Sequence, residues 1–219
     1  MPRLLFEKTG EAVWISHLDL MRLFQRAFKR AGLPLTHTQG YSPRPSVSIA
    51  LPLSVGIESQ CELLDFDLDC EISDFDEIRD RLNAVLIEGV RIREVYATGR
   101  KIRDLAFLET HIDLIYDDVS SQDKCDLLQK LFCSDTLTVV KKTKNGMQDQ
   151  NIIPMIKSLT VSEAGENCIK LKILHCCQNP TLNPMQVVTA IEKYLPELTP
   201  DAKRCRRVEV FDAIQNVFR

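Results

Sequence analysis

The sequence predicts an α+β fold in which one order of elements, strand–helix–strand–strand–helix–strand, runs twice along the chain. Three observations lead there. Short apolar runs with strand-like alternation are bounded by Gly, Pro and Asp, and each half holds two segments with helical apolar spacing. A polar stretch, TGRKIRD at residues 98–104, separates the halves. The length of 219 residues, with 44% hydrophobic and 27% charged, suits one or two globular domains with a sizeable core.

The first half opens with a strand at residues 4–6. A helix is expected over 16–31: Ser16 caps it, and Asp19 is placed to reach back to the amide of the cap. Gly32 accepts the left-handed conformation that ends a helix, and Pro34 blocks its continuation. Met21, Phe24, Phe28 and Ala31 share one face, and Arg22, Arg26, Lys29 and Arg30 share the opposite one. Val47, Ile49 and Leu51 alternate in a strand at 47–51. In the next strand, 63–68, Leu64, Phe66 and Leu68 point inward, leaving Asp65 and Asp67 on a solvated outer side. A helix at 75–86 turns Ile78, Leu82 and Val85 inward, and a strand at 90–96 closes the unit.

The second half repeats the scheme. Leu108, Thr110, Ile112 and Leu114 mark a strand, and Leu127, Leu128 and Leu131 mark a helix at 122–132. A strand at 137–141 leads to Asn145-Gly146, a strong hairpin-turn signal. Strands near 158–161 and 169–174 follow, then a helix opened by Pro184 and ending near Tyr194, and a last strand at 207–211. The fold expected is therefore two tandem ferredoxin-like (βαββαβ) units, residues 1–99 and 105–219, the second with an inserted β-hairpin.

Function is bounded first by what is missing. A net charge of −3 argues against a protein coated in cations for wholesale polyanion binding. The start of the chain has no apolar core of signal-peptide length, and no segment reaches the length needed to cross a bilayer, so a cytoplasmic protein without membrane contact is expected. The eight cysteines contain neither CxxC nor the CxxxCxxC triplet of a radical S-adenosylmethionine (SAM) iron–sulfur cluster. The densest group of ligand types, His175-Cys176-Cys177, alternates across a strand and suits reduced structural thiols better than a metal. Gly-rich nucleotide loops and nucleophile elbows are absent, so no cofactor and no catalytic residue is expected.

What remains is a surface. Arg22, Arg26, Lys29 and Arg30 on one helical face are suited to phosphates, although charged outer faces are also the ordinary solvated state. The loop HTQGYSPRP, residues 37–45, adds the polar Gln39, the aromatic ring of Tyr41 and the cation of Arg44 on a frame stiffened by two prolines. The competing reading makes it a connector whose Tyr41 packs over the core. Lys141, Lys142 and Lys144 on the hairpin, with Arg204, Arg206 and Arg207, extend the candidate RNA-binding set.

The segments SHLDLMRLFQRAFKRAGLPL and QGYSPRPSVSIALPLSVGIESQCELLDFDL, with NIIPMIKSL and NPMQVVTAI further on, resemble the bacterial radical-SAM-linked protein family. Members occur beside or fused to a radical-SAM protein, and the resemblance implies such a partner. His37 and Thr38 stand where that family usually carries a tyrosine–serine pair. Tandem ferredoxin-like units also resemble, in architecture, the CRISPR repeat-processing endoribonucleases. The function expected is an accessory protein of a radical-SAM system that binds RNA and performs no chemistry itself. The alternative is a docking subunit for the radical-SAM partner, and a more distant one is an endoribonuclease using His37 or His17.

Overall fold

The computed structural model describes residues 2–71, 74–117, 122–143 and 146–219. The chain divides into two compact units, Met1–Ile102 together with Arg219, and Arg103–Phe218.

The first unit runs β1 (Pro2–Lys8), a 3-10 turn (Gly10–Trp14), α1 (His17–Arg30), β2 (Val47–Ile49), β3 (Glu58–Phe66), α2 (Phe75–Asn83) and β4 (Val90–Ala97). Its strands lie in the order β4-β1-β3-β2, with every neighbouring pair antiparallel. One apolar cluster joins Leu4 and Phe6 of β1, Leu64 and Phe66 of β3, Leu20, Phe24 and Phe28 of α1, and Ile78 and Leu82 of α2. Within it Phe6 meets Phe24 edge-on at 4.8 Å, and Phe28 lies 5.0 Å from Phe66. Both helices thus bury their apolar stripes against the same sheet face, which leaves the opposite side of α1 to solvent.

The second unit runs β5 (Leu105–Ile115), α3 (Gln122–Phe132), β6 (Thr138–Thr143), β7 (Gly146–Asn151), β8 (Ile156–Glu163), β9 (Cys168–Cys176), α4 (Met185–Tyr194) and β10 (Ala202–Asp212). Its sheet has the order β10-β5-β9-β8, again antiparallel throughout, and β6 pairs with β7 as a separate ribbon. Leu108, Ile112 and Leu114 of β5 and Ile169, Leu171 and Ile173 of β9 are buried, as are Leu128 of α3 and Val187, Val188 and Ile191 of α4. The α+β class therefore holds.

Several expectations need correction. β3 starts at Glu58 rather than 63 because Ser59, Cys61 and Glu62 are buried despite their polarity, which no alternation rule detects. Asp65 is only partly solvated: it receives Arg3 Nε at 2.6 Å and Nη2 at 3.1 Å, and the Arg3 side chain is 1% exposed. α2 ends at Asn83 instead of 86, since the Asn83 amide bonds the backbone of Ile92 in both directions, at 2.8 and 2.9 Å. β10 starts at Ala202, earlier than 207. The Asn145-Gly146 turn falls partly outside the described residues.

Candidate nucleic-acid interface on the first helix

α1 is held at both ends by groups from elsewhere in its unit. Before it, the buried Lys8 ammonium donates to the carbonyl oxygens of Val13 (3.2 Å) and Ile15 (2.7 Å), fastening the turn that delivers the chain to the helix. The Ser16 hydroxyl accepts from the Asp19 amide at 3.2 Å and donates to the Asp19 carboxylate at 2.8 Å. Asp19 therefore engages the hydroxyl of the cap, not its amide as the sequence suggested. That hydrogen bond, and then Arg22, hold the Asp19 carboxyl below the usual carboxylate range.

After the helix, Gly32 takes φ +67°, its amide bonds the Lys29 carbonyl at 3.2 Å, and the Leu33 amide bonds the Phe28 carbonyl at 2.9 Å. This is a Schellman closure. Arg81 of α2 completes it by donating to the carbonyls of Ala31 (3.0 and 2.7 Å) and Gly32 (2.9 Å). Sequence reasoning missed Lys8 and Arg81, because their partners are backbone carbonyls whose proximity depends on packing.

The cations lie where the helical spacing placed them. Arg22, Arg26, Lys29 and Arg30 are all exposed. They border a groove of about 680 Å³ whose apolar lining comes from Ile15, Leu23 and Ile87. Arg22 pairs with Asp19 at 2.9 Å on the open surface, an interaction worth at most about 1 kcal/mol and easily exchanged. Arg30 Nη2 donates to the Val85 carbonyl at 2.6 Å. Among the described residues, the side chains of Arg26 and Lys29 make no hydrogen bond or ion pair. The buried stripe differs slightly from expectation: Leu20 and Ala27 join Phe24 and Phe28, while Met21 and Ala31 are only partly covered.

The loop after α1 is a closed finger. His37 bridges to Pro45, the Thr38 amide bonds the Arg44 carbonyl at 2.8 Å, and the Arg44 amide returns to the Thr38 hydroxyl at 3.0 Å. Gln39, Tyr41 and Arg44 are exposed at or near its tip. Tyr41 is fully exposed, which excludes the reading in which its ring packs over the core. His17 is the first residue of α1 and His37 follows its C-terminal end. His37 instead lies beside Gln25 and Lys29 of the same helix.

In the second unit, Lys141 is half-buried on β6, opposite Gln148. Lys142 pairs with Met147 in the ribbon but its side chain lies outside the described residues, as does Lys144 altogether. Arg204 and Arg206 are exposed and Arg207 half-buried on β10. His175 is 1% exposed and hydrogen-bonds the Thr110 hydroxyl at 3.0 Å, and burial lowers its pKa to about 4. Cys61, Cys125, Cys177 and Cys205 are buried, and burial pushes the Cys177 thiol to about 11 and that of Cys205 to about 12. Among the described residues, no group of three or more His, Cys, Asp or Glu is arranged to hold a metal ion. No described helix is long and apolar enough to cross a membrane.

Residues 2–184 match the family model of DUF2344, described as an uncharacterized protein conserved in bacteria. The chain belongs to this family. That description contains no reference to radical-SAM enzymes. No curated protein matches the chain. Among solved structures, it is similar to a chain in the crystal structure of a Cbf5-Nop10-Gar1 complex, with a TM-score of 0.52 and 8% identity over 95% of this chain. It spans about half of that chain (48%), and at such identity the likeness concerns the fold alone. It also matches the crystal structure of an unknown protein from Galdieria sulphuraria, with 12% identity, a TM-score of 0.27, and 94% and 96% of the two chains covered.

Proposed function

We propose that this protein is an RNA-binding accessory factor with no chemistry of its own, that it serves a radical-SAM enzyme, and that each of its units is ferredoxin-like. The fold part of this reading is supported by the strand orders. Both β4-β1-β3-β2 and β10-β5-β9-β8 place the fourth strand of a βαββαβ series beside the first, and the first beside the third, once the β6–β7 ribbon is set aside as an insertion. The radical-SAM partner rests on the sequence resemblance.

The RNA reading rests on the cation row of α1. Arg22, Arg26 and Arg30 recur every four residues, about 6 Å apart along the axis, and Lys29 lies beside them. All four are exposed on a helix fastened at both ends, so gripping phosphates requires little ordering of the backbone. Tyr41 offers a stacking ring and Arg44 a further cation on the neighbouring finger. Four phosphate contacts on a single strand imply a slope of log K against log salt of about −3. Affinity should therefore fall roughly 50-fold between 50 and 200 mM salt. A binding titration across that range tests it, and salt-independent affinity would contradict it.

One observation favours protein docking instead. Trp14 and Leu18, both 67% exposed, precede or begin the same helix, and the groove lining is apolar. On that reading RNA does not bind even at low salt, and a purified radical-SAM protein encoded beside this chain forms a stoichiometric complex that Trp14→Ser abolishes.

A further inference from the structure

A second concavity lies against the same helix. It has a volume of about 430 Å³ and is lined by Phe28 and Leu33, both fully buried beneath it, by Pro34, Leu35 and Pro45, and by Gln25, Lys29 and His37. Lys29 belongs to this cleft and to the cation-lined groove alike. Among the described residues, the side chains of Gln25, Lys29 and His37 make no hydrogen bond or ion pair within the protein. Three uncommitted polar groups thus surround an apolar floor. The volume lies at the small end of the range that holds drug-sized ligands, which suits one heterocycle and excludes a helix or a folded partner.

We propose that this cleft, bounded by Gln25, Lys29 and His37 over the apolar rings of Pro34 and Pro45, receives a single unpaired nucleobase of a strand whose phosphates run along the α1 cations. The inference rests on the RNA reading and deepens it: the favoured ligand is single-stranded RNA. Lys29 takes the phosphate next to the inserted base. The Gln25 amide supplies a donor and an acceptor, and the His37 ring a donor and an acceptor in its neutral form, for a base edge. The rings of Pro34 and Pro45, exposed and half-exposed at the cleft, cover the face of the base. A duplex keeps its bases stacked and paired and would have to open to fill the cleft, so it loses this contribution. A hydrogen bond to the base edge contributes about 1 kcal/mol net, which corresponds to roughly fivefold in affinity.

The test uses an oligoadenylate strand carrying one 2-aminopurine, alone and annealed to its complement, with the full-length protein at low salt. The expected result is at least fivefold tighter binding of the single strand, with brightening of the 2-aminopurine as it leaves the stack. A Gln25→Ala, His37→Ala double variant should lose both the preference and the brightening while keeping the salt slope. Gln25→Trp, which plugs the mouth of the cleft, should do the same. Equal affinity for strand and duplex, or a preference untouched by these variants, would overturn the base site and leave RNA binding standing. Failure of the native protein to bind either RNA would remove the RNA reading and the cleft proposal with it.

Discussion

Arg3 and Asp65 show what a single residue contributes and why the sequence concealed it. The guanidinium is buried on β1, and its bidentate partner stands directly opposite it on β3 in the antiparallel register. It also donates to the Arg100 carbonyl at 3.0 Å. Nothing local marks Asp65, whose neighbours Asp67 and Asp69 are exposed; the pairing exists only once strands 62 residues apart are aligned. Removing one partner of a buried pair leaves an uncompensated charge. Asp65→Ala should therefore cost about 3 kcal/mol in urea denaturation, and a loss below 0.5 kcal/mol, typical of a neutral surface change, would contradict the role. His175 supplies a pH dependence. Its pKa is near 4 when folded and 6.5 as a free side chain, so the unfolded state binds more protons between these values. This contribution is complete above pH 6.5 and is lost as pH falls toward 4. Going from pH 7.5 to 5.0 should cost roughly 2 kcal/mol through this group. His175→Gln should flatten that part of the profile, and an unchanged profile would contradict the assignment.

α1 was the most legible element, because its cap at Ser16, its alternating faces and its stop at Gly32 are all local in sequence. Lys8 and Arg81 were not legible, because what they bond is backbone brought near by the fold. The connection into β4 makes the same point. Gly89 adopts φ +82°, and a Cβ there would clash with the Thr9 carbonyl oxygen. Its own carbonyl accepts the Thr9 amide at 2.8 Å. Gly89→Ala combines left-handed strain with a backbone clash and should cost about 2 kcal/mol or more, read as a lowered urea midpoint. A midpoint within error of the native protein would contradict the geometry. The finger at residues 37–45 was recognisable as a stiffened loop, but its closure through Thr38 and Arg44 and the cleft at its base depend on how it folds back beside α1.

For the whole molecule, periodicity recovered the order of the elements but could not supply strand order, which is set by pairing between distant segments. The start of β3 was lost because buried polar residues such as Ser59 and Glu62 break the pattern, and that of β10 because Ala202, Lys203, Arg204 and Arg206 are exposed and only Cys205 is buried. The thiols report on each unit separately. Cys70 in the first unit and Cys133 in the second are exposed, whereas Cys61 in the first and Cys125, Cys177 and Cys205 in the second are buried. An alkylating reagent at pH 8 should modify Cys70 and Cys133 first, and reach the buried four only as each unit unfolds. Uniform labelling of the native protein would contradict the packing. The charge distribution is also a property of the whole chain: a net −3 coexists with an exposed row of four cations, so binding should be confined to one face and sensitive to few substitutions.

The most direct measurement is fluorescence-anisotropy binding of structured and single-stranded RNA at 50 and 200 mM salt, comparing the native protein with Arg22→Glu, Arg26→Glu. Both positions are exposed, so circular dichroism and the urea midpoint should show an intact fold. The expected result is binding that weakens steeply with salt in the native protein and is lost in the folded double variant. Equal binding by the two proteins, or none by the native protein at 50 mM salt, would contradict the placing of an RNA surface on α1.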